Sequence, residues 1–327
     1  MKKEGYNQLV SGIGQLLNEG RQKAVSAVNR IITITYWQIG KMIVEFEQKG
    51  KKRAIYGGSL IESLSQDLTK RHGKGFTISN LKYMRQFYLA CPISHALRGE
   101  LNWTHYRLLL HVKNKQTRDF YTMECMNSRW STRELERQIN TQLYERLALS
   151  RDKKEIMALS TKGQAIQKPE DIIKDPYVLE FLDLPSSYSE KELEDRIISN
   201  LQMFLLELGK GFSFVARQFR MEIDQKQFYA DLVFYNKNLR CYVLIDLKIS
   251  SSHADIGQMN FYLNYFKRHI NQPTDNAPIG IILSKNSTSI EVKYALGGLS
   301  NKIFASKYML SLPSVEELKK AVEYNNR

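Results

Sequence analysis

Two carboxylates and an amine stand where the chain has little structural use for charge. The segment LRCYVLIDLKI alternates as a strand does, with Val243, Ile245, Leu247 and Ile249 on one face and Tyr242, Leu244, Asp246 and Lys248 on the other. Asp246 and Lys248 therefore point together from a strand otherwise made of Tyr, Val, Leu and Ile. Desolvating them has a cost that requires a partner, a metal or a substrate, the plain alternative being an ion pair on a solvated edge. The preceding segment, QFYADLVFYN, carries Asp231 among apolar residues, and a turn at Asn236 to Asn238 folds it back antiparallel. That pairing brings Asp231 within about a rung of Asp246. Converging carboxylates repel each other and favour a shared proton or a bound cation, and hard oxygen ligands suit Mg²⁺, with Mn²⁺ as the alternative and the Leu247 carbonyl as a further oxygen. Such an ion lowers the pKa of bound water and steadies charge on a phosphate in flight, while Lys248 orients or helps deprotonate that water.

The elements that must position these groups are legible on either side. Ser189 and Glu192 form a capping box that opens a helix with a stripe of Leu193, Ile197, Leu201, Phe204 and Leu208, ending before Gly209. FSFVARQFRMEI then reads as a strand, with a turn at Asp224 to Lys226. After the charged strand come a helix around Ile256 to His269 and a short apolar strand, PIGIILS. The order is α-β-β-β-α-β. Glu207 falls at the edge of the first helix's stripe and could face either the site or solvent. His253 and Asp255, in SSSHAD, follow the charged strand closely.

The other half of the chain has a different character. Val25, Val28, Ile32, Tyr36, Ile39 and Ile43 recur at steps of three or four, a second helix runs from about Ser59 to Arg71, and a third starts at Ser79. On the third, Lys82 and Arg85 share one face, with Tyr83 and Tyr88 available for base or sugar contacts. The pair resembles a helix-turn-helix loosely, but the turn is longer than that motif prefers, which favours ordinary helical packing. Ser131 and Glu134 cap a last helix, and Trp37, Trp103 and Trp130 read as core anchors. Pro, Ser and charge from about 150 onward mark connecting chain. The expected organisation is a helical domain over 1–155, a linker over 156–188 and a mixed α/β domain over 189–327.

Composition narrows the function. The 327 residues carry a formal net charge of +14, and residues 1–155 hold 27 Lys and Arg against 14 Asp and Glu, leaving the remainder near neutral. A basic domain joined to a neutral one suits a polyanion, because Lys and Arg gain affinity by displacing counterions from phosphates. The run Lys49, Lys51, Lys52 and Arg53 also fits a merely solvated surface. Cys91, Cys125 and Cys241 are too far apart for a disulfide framework or zinc knuckle and read as buried thiols. No apolar run reaches the length of a membrane span and no signal peptide is evident, so the expected location is the cytoplasm, without membrane association.

These residues carry a family resemblance. Asp231 followed by Asp246-Leu247-Lys248 resembles the PD-(D/E)xK nuclease motif. LLELGKGFSFVARQ, FYADLVFYNKNLRCYVLIDLKI and GQMNFYLNYF are similar to the YhcG-type nuclease family, and NRIITITYWQIGKMI, GFTISNLKYMRQFYLA and WSTRELERQI to the helical domain of unknown function paired with it. The resemblance implies an α+β two-domain chain: an all-helical N-terminal domain, then a restriction-endonuclease-like α/β core of order αβββαβ. It implies metal ligation by Asp231, Asp246 and Glu207, and the motif lysine in Lys248. It also matches Gln258 and Tyr262 to a QxxxY element that could hold the lysine or a phosphate. Ala230 stands where the motif has Pro, and Asp246 where Glu is commoner. The implied function is a Mg²⁺-dependent nuclease acting on DNA rather than RNA, with substrate contacts from Tyr262, Lys82 and Arg85. The rival is a nucleic-acid-binding or assembly protein with a nuclease-like fold that does not cut, and both a protein partner for the helical half and a homo-oligomer stay open.

Overall fold

The computed structural model describes residues 2–49, 59–91, 101–149, 153–286 and 302–314, so Lys51, Lys52 and Arg53 lie outside the described residues. The chain divides into two compact units, Met1–Glu136 and Arg137–Arg327. The first is helical throughout its described residues, with α1 (Lys2–Lys49), α2 (Ser59–His72), α3 (Ile78–Ala90), α4 (Trp103–His111) and α5 (Lys115–Ser128) followed by the start of α6 (Thr132–Asn140). Its core forms where α3 crosses α1: Leu81, Met84 and Phe87 are fully buried, and Ile43 packs with them. Gly40 permits the approach, since a Cβ there would sit 2.0 Å from the Met84 carbonyl oxygen. Trp37 donates to the Cys91 carbonyl and Trp103 to the Asn80 side chain, as core anchors do. The expected α1 stripe divides. Tyr36, Ile39 and Ile43 pack inward, whereas Val25, Val28 and Ile32 are exposed.

The second unit contains the rest of α6, then α7 (Leu143–Leu149), α8 (Lys153–Lys162), β1 (Tyr177–Val178), α9 (Glu190–Ser199), α10 (Leu201–Leu208), β2 (Phe212–Ile223), β3 (Lys226–Asn236), β4 (Cys241–Ser250), α11 (His253–His269), β5 (Ile279–Asn286) and β6 (Lys302–Met309). The division at 136/137 falls earlier than the expected 155. Residues 156–188 are not plain connecting chain either: Tyr177, Val178, Leu179 and Leu182 are fully buried, and β1 pairs in parallel with β6. Flanking Pro and charge disguised four core residues.

The sheet runs β1-β6-β5-β4-β3-β2, antiparallel from β2 to β4 and parallel from β4 onward. The β2–β3 hairpin turns at Asp224 and Gln225, both at positive φ, where expected. Strand alternation sorts β4 as the sequence indicates. Val243, Ile245 and Leu247 join Leu193, Ile197, Phe204 and Leu208 on one face, and Leu244 joins Met259, Tyr262 and Phe266 of α11 on the other. The helix expected as one piece from Ser189 breaks at Asn200, whose side chain donates to the Arg196 carbonyl, so α9 and α10 are separate helices.

Candidate active site

Strands β3 and β4 pair from Asn236 and Cys241 down to Leu232 and Ile245, where the ladder ends. Asp231 lies one residue beyond, and its Oδ2 accepts the Leu247 amide at 2.9 Å in place of a strand partner. On its other side, β2 pairs Arg217 with Leu232 and Phe219 with Ala230. Between them Gln218 takes φ +47°, a left-handed conformation seldom found for a side-chain-bearing residue within a strand. That backbone conformation accompanies a Gln218 amide aimed at Asp231 Oδ1, 3.1 Å away, and at Glu194 Oε2, 2.7 Å away.

Asp246 is nearly buried, with Lys248 Nζ 3.0 Å from its Oδ2. The ammonium is beside that oxygen without being aligned as a donor, so Oδ2 is buried with no hydrogen bond. Burial first, and then the Asp231 charge, push the Asp246 carboxyl up to about 7 against the opposing pull of Lys248. Lys248 is itself raised: burial works to lower it, but Asp246, Asp231 and Glu190 together outweigh that and keep the amine protonated.

Helix α9 closes the other wall. Glu190 accepts the Ile249 amide at 3.0 Å and so holds the strand just past Lys248. One turn on, Glu194 is held by Arg217 and Gln218. Glu190, Lys191, Glu194, Arg217, Gln218, Asp231 and Lys248 line an open cleft of about 380 Å³. From α11, Gln258 donates to the Tyr262 hydroxyl, whose pKa burial raises first and the charges of Asp246 and Asp231 raise further.

The arrangement is acidic and partly buried, and its carboxylates are held by the Leu247 and Gln218 amides, Arg217 and Lys248. Among the described residues no group of three His, Cys, Asp or Glu side chains is placed to hold a metal ion. The Asp231 and Asp246 carboxylates, with Glu194 linked to Asp231 through the Gln218 amide and Asp246 Oδ2 ion-paired with Lys248, are nonetheless hard oxygen ligands of the kind a divalent cation prefers.

Similarity to known proteins follows the same division. The model of the YhcG PDDEXK nuclease domain matches residues 170–323, and that of the DUF1016 N-terminal domain matches residues 12–146. The Escherichia coli (strain K12) protein named "Putative nuclease YhcG" is 42% identical over 347 aligned positions, which cover 96% of this chain and 92% of that protein. The chain belongs to the YhcG family. A crystal structure of a repair endonuclease from Pyrococcus abyssi aligns with 40% of this chain and 50% of its own at 20% identity, with a TM-score of 0.28. Membership in the YhcG family makes this a PDDEXK nuclease-family protein with an all-helical N-terminal region and a mixed sheet flanked by helices, as expected.

Not every residue matched to the YhcG family reaches the cleft. Asp231 and Lys248 line it. Asp246 is the ion-pair partner of Lys248 without lining the cleft itself, and the Gln258–Tyr262 pair on α11 is not among its lining residues. Glu207 does not reach it. It is fully buried on α10, on the sheet face opposite Asp246, where its carboxylate takes hydrogen bonds from Arg146, Arg137 and the Val178 amide. Burial raises its pKa, but Arg146, Lys174 and Arg137 overcome that and hold it down at about 2. A carboxylate so enclosed is a structural anchor, and the acidic residue that α9 delivers instead is Glu194. Its signal in the sequence was the Glu190–Glu194 spacing of four beside the apolar stripe, which places both on one helical face. Gln218 and Arg217 carried no such signal, because a left-handed residue within a strand is invisible to alternation. Leu247 contributes its amide to Asp231, and its side chain is core. Asp255 turns back to cap Ser252, and His253 is exposed. In the first unit Lys82 is exposed as expected, but Arg85 is engaged by Glu47 at 2.8 Å and is not a spare cation. Tyr88 packs edge-on against Trp37.

Proposed function

We propose that this chain is a metal-dependent nuclease that hydrolyses phosphodiester bonds in DNA. The observation that carries the reading is the placement of Asp246: a buried carboxylate facing a second one, with an undonated oxygen and a pKa pushed to about 7. Such a site is better satisfied by a divalent cation than by its own protein groups. Asp231, Asp246 and Glu194 are the residues that would hold Mg²⁺ or Mn²⁺. When bound, the ion supplies Lewis acidity toward phosphate oxygens and toward the attacking water.

The protein's own groups supply the rest. Lys248 carries an ammonium, which suits it to orient water and to offset charge on the phosphate rather than to take a proton. Gln258 donates to the Tyr262 hydroxyl, which feels the Asp246 and Asp231 charges. The Leu247 amide and the Gln218 amide fix the two oxygens of Asp231, so it needs no reorganisation at the moment of reaction. The excess charge in residues 1–155 supports nucleic acid as the substrate and DNA retention by the helical unit.

The test is cleavage of duplex DNA, single-stranded DNA and RNA with Mg²⁺, with Mn²⁺ and with chelator, comparing wild type with Asp246→Ala and Lys248→Ala. DNA cleavage that needs the ion and is lost in both variants is the expected outcome. Equal cutting by all three proteins would refute the assignment, and binding without cutting under every condition would favour a nucleic-acid-binding protein.

A further inference from the structure

Helix α1 is 48 residues long, and from Gly5 to Ile32 none of its residues is buried. A helix lying alone in water is expected to be polar all round. This one is not. Tyr6, Leu9, Val10, Ile13, Leu16, Leu17, Val25, Val28, Ile31 and Ile32 are all exposed, Leu16 by 70% and both Tyr6 and Ile31 by 64%. Six of them follow an eleven-residue repeat that Gly20 and Ala24 complete: Tyr6, Leu17 and Val28; Leu9, Gly20 and Ile31; Ile13 and Ala24. Eleven residues make three turns, so this seam stays on one side of a nearly straight helix for about 38 Å. Gln8, Ser11, Gln15, Gln22 and Ser26 form the opposite, polar side. Gly5, Gly12, Gly14 and Gly20 also lie within the helix, each with open space around it. Interior glycines weaken a helix, so a partner along this segment would steady it.

The geometry points to a second copy of this chain lying antiparallel along α1. The seam is bulky toward its N-terminus, at Tyr6, Leu9, Ile13 and Leu17, and small further on, at Gly20 and Ala24. Reversing one copy sets Tyr6 against Ile31, Leu9 against Val28, Ile13 against Ala24 and Leu17 against Gly20. Large then meets small in the central layers, and the helices keep an even separation. A parallel copy would stack Gly20 on Gly20 beside Leu17 on Leu17, leaving a gap next to a clash. The six large seam side chains, with Val10, Leu16 and Ile32 flanking them, at roughly 60–100 Å² each amount to roughly 540–900 Å² per copy, which reaches the about 800 Å² per partner of a stable interface. The contact is two-fold symmetric and therefore closed, giving a dimer rather than a filament. It rests on α1 alone and is independent of the chemistry proposed for the second unit.

Sedimentation of the full chain across the micromolar range tests it, beside Ile13→Asp/Leu17→Asp on the seam and Gln22→Asp on the polar side. The expected result is a particle of twice 38.1 kDa for wild type and for Gln22→Asp, and a dissociation constant raised by roughly tenfold or more for the seam variant. All three positions are exposed, so the core is untouched. Orientation is read by oxidation: Ile13→Cys/Ala24→Cys should cross-link and Ile13→Cys alone should not. A monomeric wild type would assign the seam to a different partner and overturn the proposal. So would a seam variant that stays dimeric, or a cross-link through Ile13→Cys alone.

Discussion

Asp231 accepts the Leu247 amide at 2.9 Å, immediately past the last residue pair that joins β3 to β4. A strand end that would otherwise fray is thereby closed by a side chain, and that side chain is turned toward Asp246. The repulsion between the two carboxylates is built into the fold, and divalent ions, protons and substitutions all act on it.

Metal-free stability should respond to pH through Asp246. Its folded pKa, about 7, lies above the ordinary aspartate value. A carboxyl raised on folding contributes fully below the unfolded value of about 3.9, and that contribution is lost as pH climbs toward about 7. Asp246→Asn should therefore be more stable than wild type by about 1–3 kcal/mol near pH 8, with the gap closing as pH falls toward about 4. Thermal melts in chelator check this, and a gap that does not change with pH would contradict it.

Glu194 and Glu207 should separate by phenotype. Glu194→Gln is expected to lose most of the thermal shift produced by Mn²⁺ while melting near wild type in chelator. Glu207→Ala strips a buried carboxylate from Arg146 and Arg137 and should destabilise the chain by about 3–5 kcal/mol, leaving the metal response of the folded protein intact. Because the Glu207 pKa is depressed to about 2, its contribution is present above the usual glutamate value and fades as pH falls toward 2. Urea unfolding with and without Mn²⁺ distinguishes the two residues.

Removing the Lys248 ammonium should lower cleavage by about 10²–10³-fold, with Lys248→Arg retaining more than Lys248→Met. Lys248→Met also takes away the charge that restrains Asp246, so the Asp246 titration should move further upward. Following the Asp246 carboxyl by NMR in chelator reads this directly, without any turnover.

Binding of catalytically silenced Asp246→Asn to DNA should weaken by about tenfold or more between about 50 and about 200 mM salt, as counterion release requires. Lys82→Ala should weaken it at every sequence alike. Arg85→Ala should affect stability more than affinity, because its guanidinium is already committed to Glu47. Fluorescence anisotropy over a salt series would expose salt-independent binding, which would point to a protein partner.

Period-two alternation and turn chemistry are local properties, and they located β3, β4, Asp231, Asp246 and Lys248 correctly before any coordinates, as the 3.6 period and capping boxes located the helices around them. Which acidic residue of the helical stretch faces the cleft was not local. It depended on the break at Asn200, which leaves Glu194 at the strand ends and turns Glu207 into a buried arginine pair on the far side of the sheet. The left-handed backbone at Gln218, the burial of Tyr177 to Leu182 and the bare seam of α1 were equally out of reach. Each depends on what packs against a residue, and periodicity shows which residues share a face but not what that face meets.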